Sequence, residues 1–510
     1  MERSMLAAKS SIMGVISKLL LIAMNFACRF FFIRYIGAEI LGLEGVIRDC
    51  VSLLSLSDLG ISTAMTYRLY SIINEKDYKA ASGYLTLYRS AYKYIMLAIA
   101  TLGIVGSFFL KRIITDVTVS WQYVCITYFL QIVAVECSYM AAYKRCILNA
   151  DQKYYIQIEV DTVANLLASI IKIGVIIFTQ DYILYICITI AQNLTANLFL
   201  SSYVSKNYAA YERQKKSPTK EQKESLILDT KNIIGNKLAG FVYSSTDNVL
   251  ISAFLGTTLV GYLSNYKLIF STLSTVLLSF TTPITTLLGN YLNDKNKEDS
   301  SFDILCKYSF VRFVFSVLFV VPTVALGQNF IVLYAGDYWL LPKIDLLLLA
   351  VDFYISCLYG ALGDYSAGLG IFENQKIVSI MGAVINIVLS IVLVRKLGIA
   401  GVLVGTVVSQ LVLWIGNWKI VNKKLWNSKN KKRYYWSKQL KYVAITSLLV
   451  MFGVFAEQLF AVPVGILDFV LKGILIETVS VLFICAIFYP TEEFQYLLNI
   501  FKNIINRKHS

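Results

Sequence analysis

Lys18, Asn25 and Arg29 are seven and then four residues apart in a stretch that is otherwise apolar. On an α-helix that spacing puts all three on one face. Lys237, Ser244 and Asn248 form a second face of this kind. Two shorter stripes hold Arg48, Ser52 and Ser55, and Lys267, Ser271 and Ser274. Lys172 stands in the middle of another apolar block, and Lys93 and Arg312 lie just inside two more. Cations in a partly dry cleft stabilise phosphate oxygens. Hydroxyls and amides beside them supply the donors and acceptors that sugar hydroxyls need. A cationic, hydrophilic cavity is therefore expected from Lys18, Asn25, Arg29, Arg48, Ser52, Lys172, Lys237, Ser244, Asn248, Lys267 and Arg312.

Each cation also has a plainer reading. Arg48 and Lys267 can snorkel to headgroups, Lys93 and Arg312 can be interfacial anchors, and Lys172 can pair with an acid on another helix. Acids are fewer: Asp49, Asp58, Glu136, Asp161, Asp247, Asp345, Asp352 and Asp364 fall in or beside apolar blocks. A carboxylate in a cavity exchanges a proton or holds a cation, which makes Asp58, Asp247, Asp352 and Asp364 the candidates for ion coupling, with H+ or Na+ as the ion. His509 is the only histidine, and the nine cysteines are scattered without a CxxC pair. Histidine triads, histidine metal sites and cysteine metal clusters are thereby excluded. Neither a catalytic residue nor a bound cofactor or metal is expected.

The elements that carry these residues follow from composition. Of 510 residues 57% are hydrophobic and only 15% charged, well below the usual quarter of a soluble domain. The apolar residues fall into about fourteen blocks, each long enough for the roughly 20 helical residues of a span. The first block is too long for a signal peptide and lacks a cleavage site. The formal charge of +15 lies in alternate short loops, which is the positive-inside pattern and not a nucleic-acid footprint. An all-α integral membrane protein is expected, with both termini cytoplasmic. Residues 1–205 would form a first lobe of six helices, 206–231 a basic cytoplasmic loop, and 232–422 a second lobe of six. Residues 423–441 would be a second basic loop, 442–490 a C-terminal helix pair, and 491–510 a cytoplasmic tail.

The two lobes read as a repeat. A shift of 219 positions carries Lys18 onto Lys237, Gly37 onto Gly256, Gly42 onto Gly261, Arg48 onto Lys267 and Lys93 onto Arg312. Six helices separate equivalent ones, so the repeat is parallel, about an axis along the membrane normal. Two such lobes with a cleft at their interface make a transporter architecture.

Three local patterns carry a resemblance. The first is Phe32-Ile33-Arg34-Tyr35-Ile36-Gly37, then Gly42, then Asp58, Leu59 and Gly60. The second runs from Asp247-Asn248 to Leu255-Gly256, followed by Gly261-Tyr262 and Tyr266-Lys267. The third is Gly398-Ile399-Ala400-Gly401-Val402. Over essentially its whole length the chain resembles the multidrug/oligosaccharidyl-lipid/polysaccharide (MOP) exporter superfamily, and within it the Wzx-type flippases of polysaccharide biosynthesis. The resemblance implies a V-shaped pair of lobes, alternating access and a place in the bacterial cytoplasmic membrane. It also implies transfer of undecaprenyl-diphosphate-linked oligosaccharide to the outer leaflet, proton or sodium coupling, and contact with membrane lipid. Polysaccharide polymerase or glycosyltransferases are possible partners. Two alternatives stay within reach: a lipid II or teichoic-precursor flippase, and an ion-coupled multidrug efflux pump. A membrane enzyme would show a large extramembrane loop with acids, and a scaffold would carry its buried charges at a cost without return.

Overall fold

Backbone in hydrocarbon has no water to bond to, and a helix satisfies its own donors and acceptors. The computed structural model follows that rule. It describes residues 2–55, 61–213, 218–220, 222, 224, 245–292, 301–368, 372–459 and 465–506, and among them there are helices and turns but no strand. Eleven of the described helices are long and apolar enough to cross a membrane. Their outer faces are apolar, with Leu97, Phe178, Ile380 and Leu467 exposed. The chain is a multi-pass membrane protein.

Two compact units divide it at Gly261 and Tyr262. The first unit contains α1 (Glu2–Tyr35), α2 (Ala38–Leu54), α3 (Ile61–Asn74), α4 (Tyr78–Ser107) and the short α5 (Leu110–Ile113). It continues with α6 (Trp121–Tyr139), α7 (Ala142–Ala150), α8 (Tyr154–Thr179), α9 (Tyr182–Asn207), the short α10 (Ala209–Arg213) and α11 (245–255). Helix α1 packs along α8, and α9 packs against both α6 and α8. Asp77, Ser120 and Asp181 cap α4, α6 and α9 by accepting from backbone N–H groups of the first turn, which satisfies donors that a helix start leaves open.

Helix α12 (Thr257–Leu292) begins in the first unit and continues into the second. The second unit adds α13 (Ser301–Ala335), α14 (Lys343–Gly368), α15 (Phe372–Leu397), α16 (Ile399–Leu425), α17 (Lys429–Leu459), α18 (Ile466–Phe488) and α19 (Glu492–Asn506). Helix α13 is its centre and touches α14, α17, α18 and α19. The aromatic core there stacks Phe313 on Tyr442 at 4.3 Å and sets Phe310 against Phe488 at 5.1 Å.

The structure moves some boundaries. An apolar count puts the second helix at 45–66, whereas α2 starts at Ala38 and ends at Leu54, and α3 is separate from it. Gly37 sets that start: at φ 95° it turns the chain directly out of α1, a conformation open to glycine. Within residues 423–441, Lys423–Leu425 end α16 and the stretch from Lys429 onward belongs to α17. Most of 491–510 is the helix α19, whose Phe494 is buried against Phe310.

The 219-residue shift recurs in the backbone. Gly37 and Gly256 have φ of 95° and 114°. The Gly37 N–H donates to Phe32 O at 3.2 Å, and the Gly256 N–H donates to Ile251 O at 3.2 Å. Five residues on from each, still inside the first unit, Gly42 and Gly261 lie in each other's way. A Cβ on Gly42 would meet Thr257 O at 1.9 Å, and one on Gly261 would meet Ala38 O at 2.2 Å. Ala38 and Thr257 are themselves 219 apart, so the close approach is the same contact made twice.

Backbone cannot retreat as a flexible side chain can. Gly42→Ala and Gly261→Ala are each expected to destabilise the protein by about 1–3 kcal/mol, the usual cost of overpacking. Gly174 has nothing within 4 Å of its would-be Cβ, so Gly174→Ala should be neutral or stabilise by up to about 1 kcal/mol. Thermal unfolding in detergent compares the three.

A candidate polar site inside the first unit

Arg29, Arg48 and Lys172 come together in the first unit around one tyrosine. Lys172 Nζ lies 4.8 Å from the centroid of the Tyr185 ring. Arg29, Arg48 and Glu44 act on the Tyr185 hydroxyl through their charge, Arg48 from an exposed position on α2. Glu44 is the acid of the group, with Oε2 3.9 Å from Arg29 Nη1. Phe32 closes one side, edge-on to both Tyr182 and Tyr185 at 5.8 and 5.6 Å. Three cations against one carboxylate leave an excess of positive charge.

Amide side chains extend this cluster along α8 and α9. Lys172 donates to Gln192 Oε1 at 3.5 Å, and Gln192 Nε2 donates to Asn165 Oδ1 at 2.7 Å. Asn165 Nδ2 donates to Asp161 O at 2.7 Å. Arg145 holds the Asp161 carboxylate with two bonds, 2.7 and 2.9 Å, and donates from Nε to Asn197 Oδ1 at 3.0 Å. Asn193 and Asn197 in turn donate to backbone carbonyls of α6. Arg145, Asp161, Asn165, Gln192, Asn193 and Asn197 line a cleft of about 570 Å³, walled by the stacked pair Tyr92 and Tyr139. Its lining is mostly amide, guanidinium and phenol, which offers both donors and acceptors. At one end, outside the spans, Lys153 bonds Asp151 at 2.7 Å and Tyr208 donates to the same carboxylate at 2.5 Å. Burial works against the Lys153 ammonium, but its bonds to Asp151 and Tyr208 outweigh that and raise its pKa.

The remaining sequence candidates are placed as follows. Lys18 and Asn25 are exposed on α1, and Ser52 is half-buried on α2. Asn248 is buried on α11 and donates to Asp49 Oδ2 at 2.7 Å, and Asp247 beside it is 5% exposed. Asp58, Lys237 and Ser244 lie outside the described residues. In the second unit Lys267 and Asp352 are half-buried. Arg312 and Asp364 meet each other: Nη2 to Oδ2 is 2.8 Å, and Tyr308 donates to the same oxygen at 2.5 Å. Arg312 also donates to Tyr308 and to Cys357 O, at 3.0 and 2.9 Å. Its guanidinium lies on Gly360, where a Cβ would fall 1.8 Å from Nη1. Residues of this region that were not site candidates in the sequence are Arg145, Asn165, Gln192, Asn193 and Asn197, which line the cleft, and Glu44 and Tyr185 beside it. Four amides inside two apolar blocks were the available signal.

A buried pair is costly to halve and cheap to replace whole. Arg312→Gln is expected to lose about 3–5 kcal/mol by leaving Asp364 without its cation. The double variant Arg312→Met, Asp364→Leu should recover most of that loss. Unfolding in detergent, followed through the second unit's tryptophans, measures both.

No protein-family model matches the sequence, and no curated protein matches it. Solved structures do. The lipid II flippase MurJ in an inward closed conformation aligns with a TM-score of 0.67 at 15% identity, covering 94% of this chain and 98% of that one. An inward-facing multidrug resistance MATE family transporter of the MOP superfamily aligns at 0.61 and 14% identity, covering 82% and 99%. The Vibrio cholerae MATE transporter VcmN aligns at 0.57 and 14%, covering 84% and 99%. The chain therefore has the fold of these structures.

Proposed function

We propose that this protein is a transporter that moves a polyprenyl-diphosphate-linked saccharide from the cytoplasmic to the outer leaflet. The observation that carries the reading is the pair of cations beside Tyr185, Lys172 over its ring and Arg29 at 3.9 Å from Glu44, with Arg48 adding its charge at the same hydroxyl. A diphosphate needs that positive charge; a cationic drug is repelled by it. The amides and phenols of the adjoining cleft suit sugar hydroxyls. Likeness to a lipid II flippase over 94% of the chain, against 82–84% for the transporters above, favours a precursor of the lipid II or teichoic type over a capsule repeat unit. The step is translocation, with no bond made or broken. Buried Asp247 is the acid we assign to coupling with H+ or Na+.

The reading includes fourteen spans with both termini cytoplasmic. The eleven apolar helices are completed by α2 with α3, by α11 and by α12. Two lobes of six helices then precede the pair α17 and α18. Association with a glycan polymerase or glycosyltransferases would place the substrate's synthesis beside its export.

Proteoliposomes loaded with a fluorescent polyprenyl-diphosphate saccharide test this. Protein-dependent arrival in the outer leaflet is expected, and Lys172→Gln or Arg29→Gln should slow it about tenfold, the worth of one charge-assisted hydrogen bond. No movement with any saccharide head, together with gradient-driven extrusion of a cationic dye, would replace this reading by the efflux pump.

A further inference from the structure

Residues 419–441 contain nine cations and no acid: Lys419, Lys423, Lys424, Lys429, Lys431, Lys432, Arg433, Lys438 and Lys441. The other long basic stretch, 206–231, sets seven cations against four acids. Orienting the chain in the membrane requires an excess of Lys and Arg on one side; it does not require a stretch from which acids are absent. Some of these cations are used inside the protein. Lys438 pairs with Glu493, and Lys431 lies over the rings of Phe302 and Trp426. Lys429, Lys432 and Arg433 are exposed, and among the described residues none of the three forms an ion pair.

Those three line one side of α17 and share a groove of about 420 Å³ with Trp436, Ser437 and Leu440. Trp436 is held there by packing against Trp414, ring centroids 5.3 Å apart. From the groove onward the same face of α17 turns apolar. Leu440, Leu448 and Met451 are 68%, 56% and 68% exposed. Eleven residues separate Leu440 from Met451, about 16 Å of helix, which matches the roughly 15 Å of hydrocarbon in one leaflet. Cations, an indole and a hydroxyl at one level, with a leaflet-length apolar strip beside them, match the parts of an anionic lipid in their order.

We propose that this face of α17 is a binding site for an anionic phospholipid. Lys429, Lys432 and Arg433 hold its phosphate, Ser437 reaches the headgroup, Trp436 marks the interface, and an acyl chain lies along Leu440 to Met451. The site is separate from the cleft of the first unit and does not depend on what that cleft transports.

The test is lipid retention. Purified protein is exchanged into mixed micelles of phosphatidylglycerol and phosphatidylcholine, and bound lipid is measured by native mass spectrometry. Wild-type protein is expected to retain phosphatidylglycerol in preference. The triple variant Lys429→Gln, Lys432→Gln, Arg433→Gln should lose that preference, at about fivefold per cation removed. The triple variant Lys76→Gln, Lys79→Gln, Arg89→Gln removes the same charge elsewhere and should keep it. Melting in phosphatidylcholine alone, unchanged among the three proteins, shows that each is folded. The proposal is overturned if wild type shows no preference, if the α17 variant keeps it, or if both variants lose it equally. Displacement of the lipid by inorganic phosphate alone would also overturn it, because the apolar strip would then contribute nothing.

Discussion

An ionised side chain at bilayer depth has to find its counter-charge or its hydrogen bonds inside the protein. Much of what distinguishes this chain from a generic helical bundle follows from that demand. Arg145 is held by Asp161 and Asn197, and Arg312 by Asp364, Tyr308 and a carbonyl of α14. Each set ties together helices that apolar packing alone would leave free to slide or rotate. The second set also dictates composition nearby: the guanidinium lies where only a glycine leaves room, at Gly360. Polar fixings of this kind contribute specificity of register where hydrophobic contact, being non-directional, cannot.

The same demand separates two kinds of cation. Arg312 and Arg145 are matched one to one and act as struts. Arg29 reaches Glu44 only at 3.9 Å, and Lys172 lies over the Tyr185 ring, with no ion pair to a carboxylate among the described residues. An under-neutralised group is tolerable where water or an anionic ligand completes it. The contrast between matched and under-matched charge is therefore a better guide to a working surface than the count of charges in membrane segments.

The spans were legible in the sequence because length and apolarity are what the bilayer reads. So was the 219-residue repeat, since Gly37 and Gly256 are both required by backbone conformation. Less visible was anything that depends on pairing across the fold. Arg312 and Asp364 are 52 residues apart, and their spacing says nothing of their meeting. Glu44 lies four residues before Arg48, on the face that continues through Ser52 and Ser55, but the cation of that stripe overshadowed it. The amides of α9 were hidden by the hydrophobicity of the block that contains them. Helix two was misplaced for a related reason: hydropathy averages over a window, and a break set by one glycine at positive φ leaves almost no trace in such an average.

Gly42 and Gly261 bear on how this chain can change over time. At most positions the two copies of a duplicated segment drift apart, because each answers only to its own surroundings. Here each copy is part of the other's surroundings, since the carbonyl that blocks a side chain on one glycine belongs to the segment that bears the other. A mutation at either position meets an obstacle supplied by its own duplicate, and no single substitution removes it. The crossing should stay the most symmetric part of the molecule long after the rest has diverged, and it is the place to look for the repeat in sequences too distant to align elsewhere.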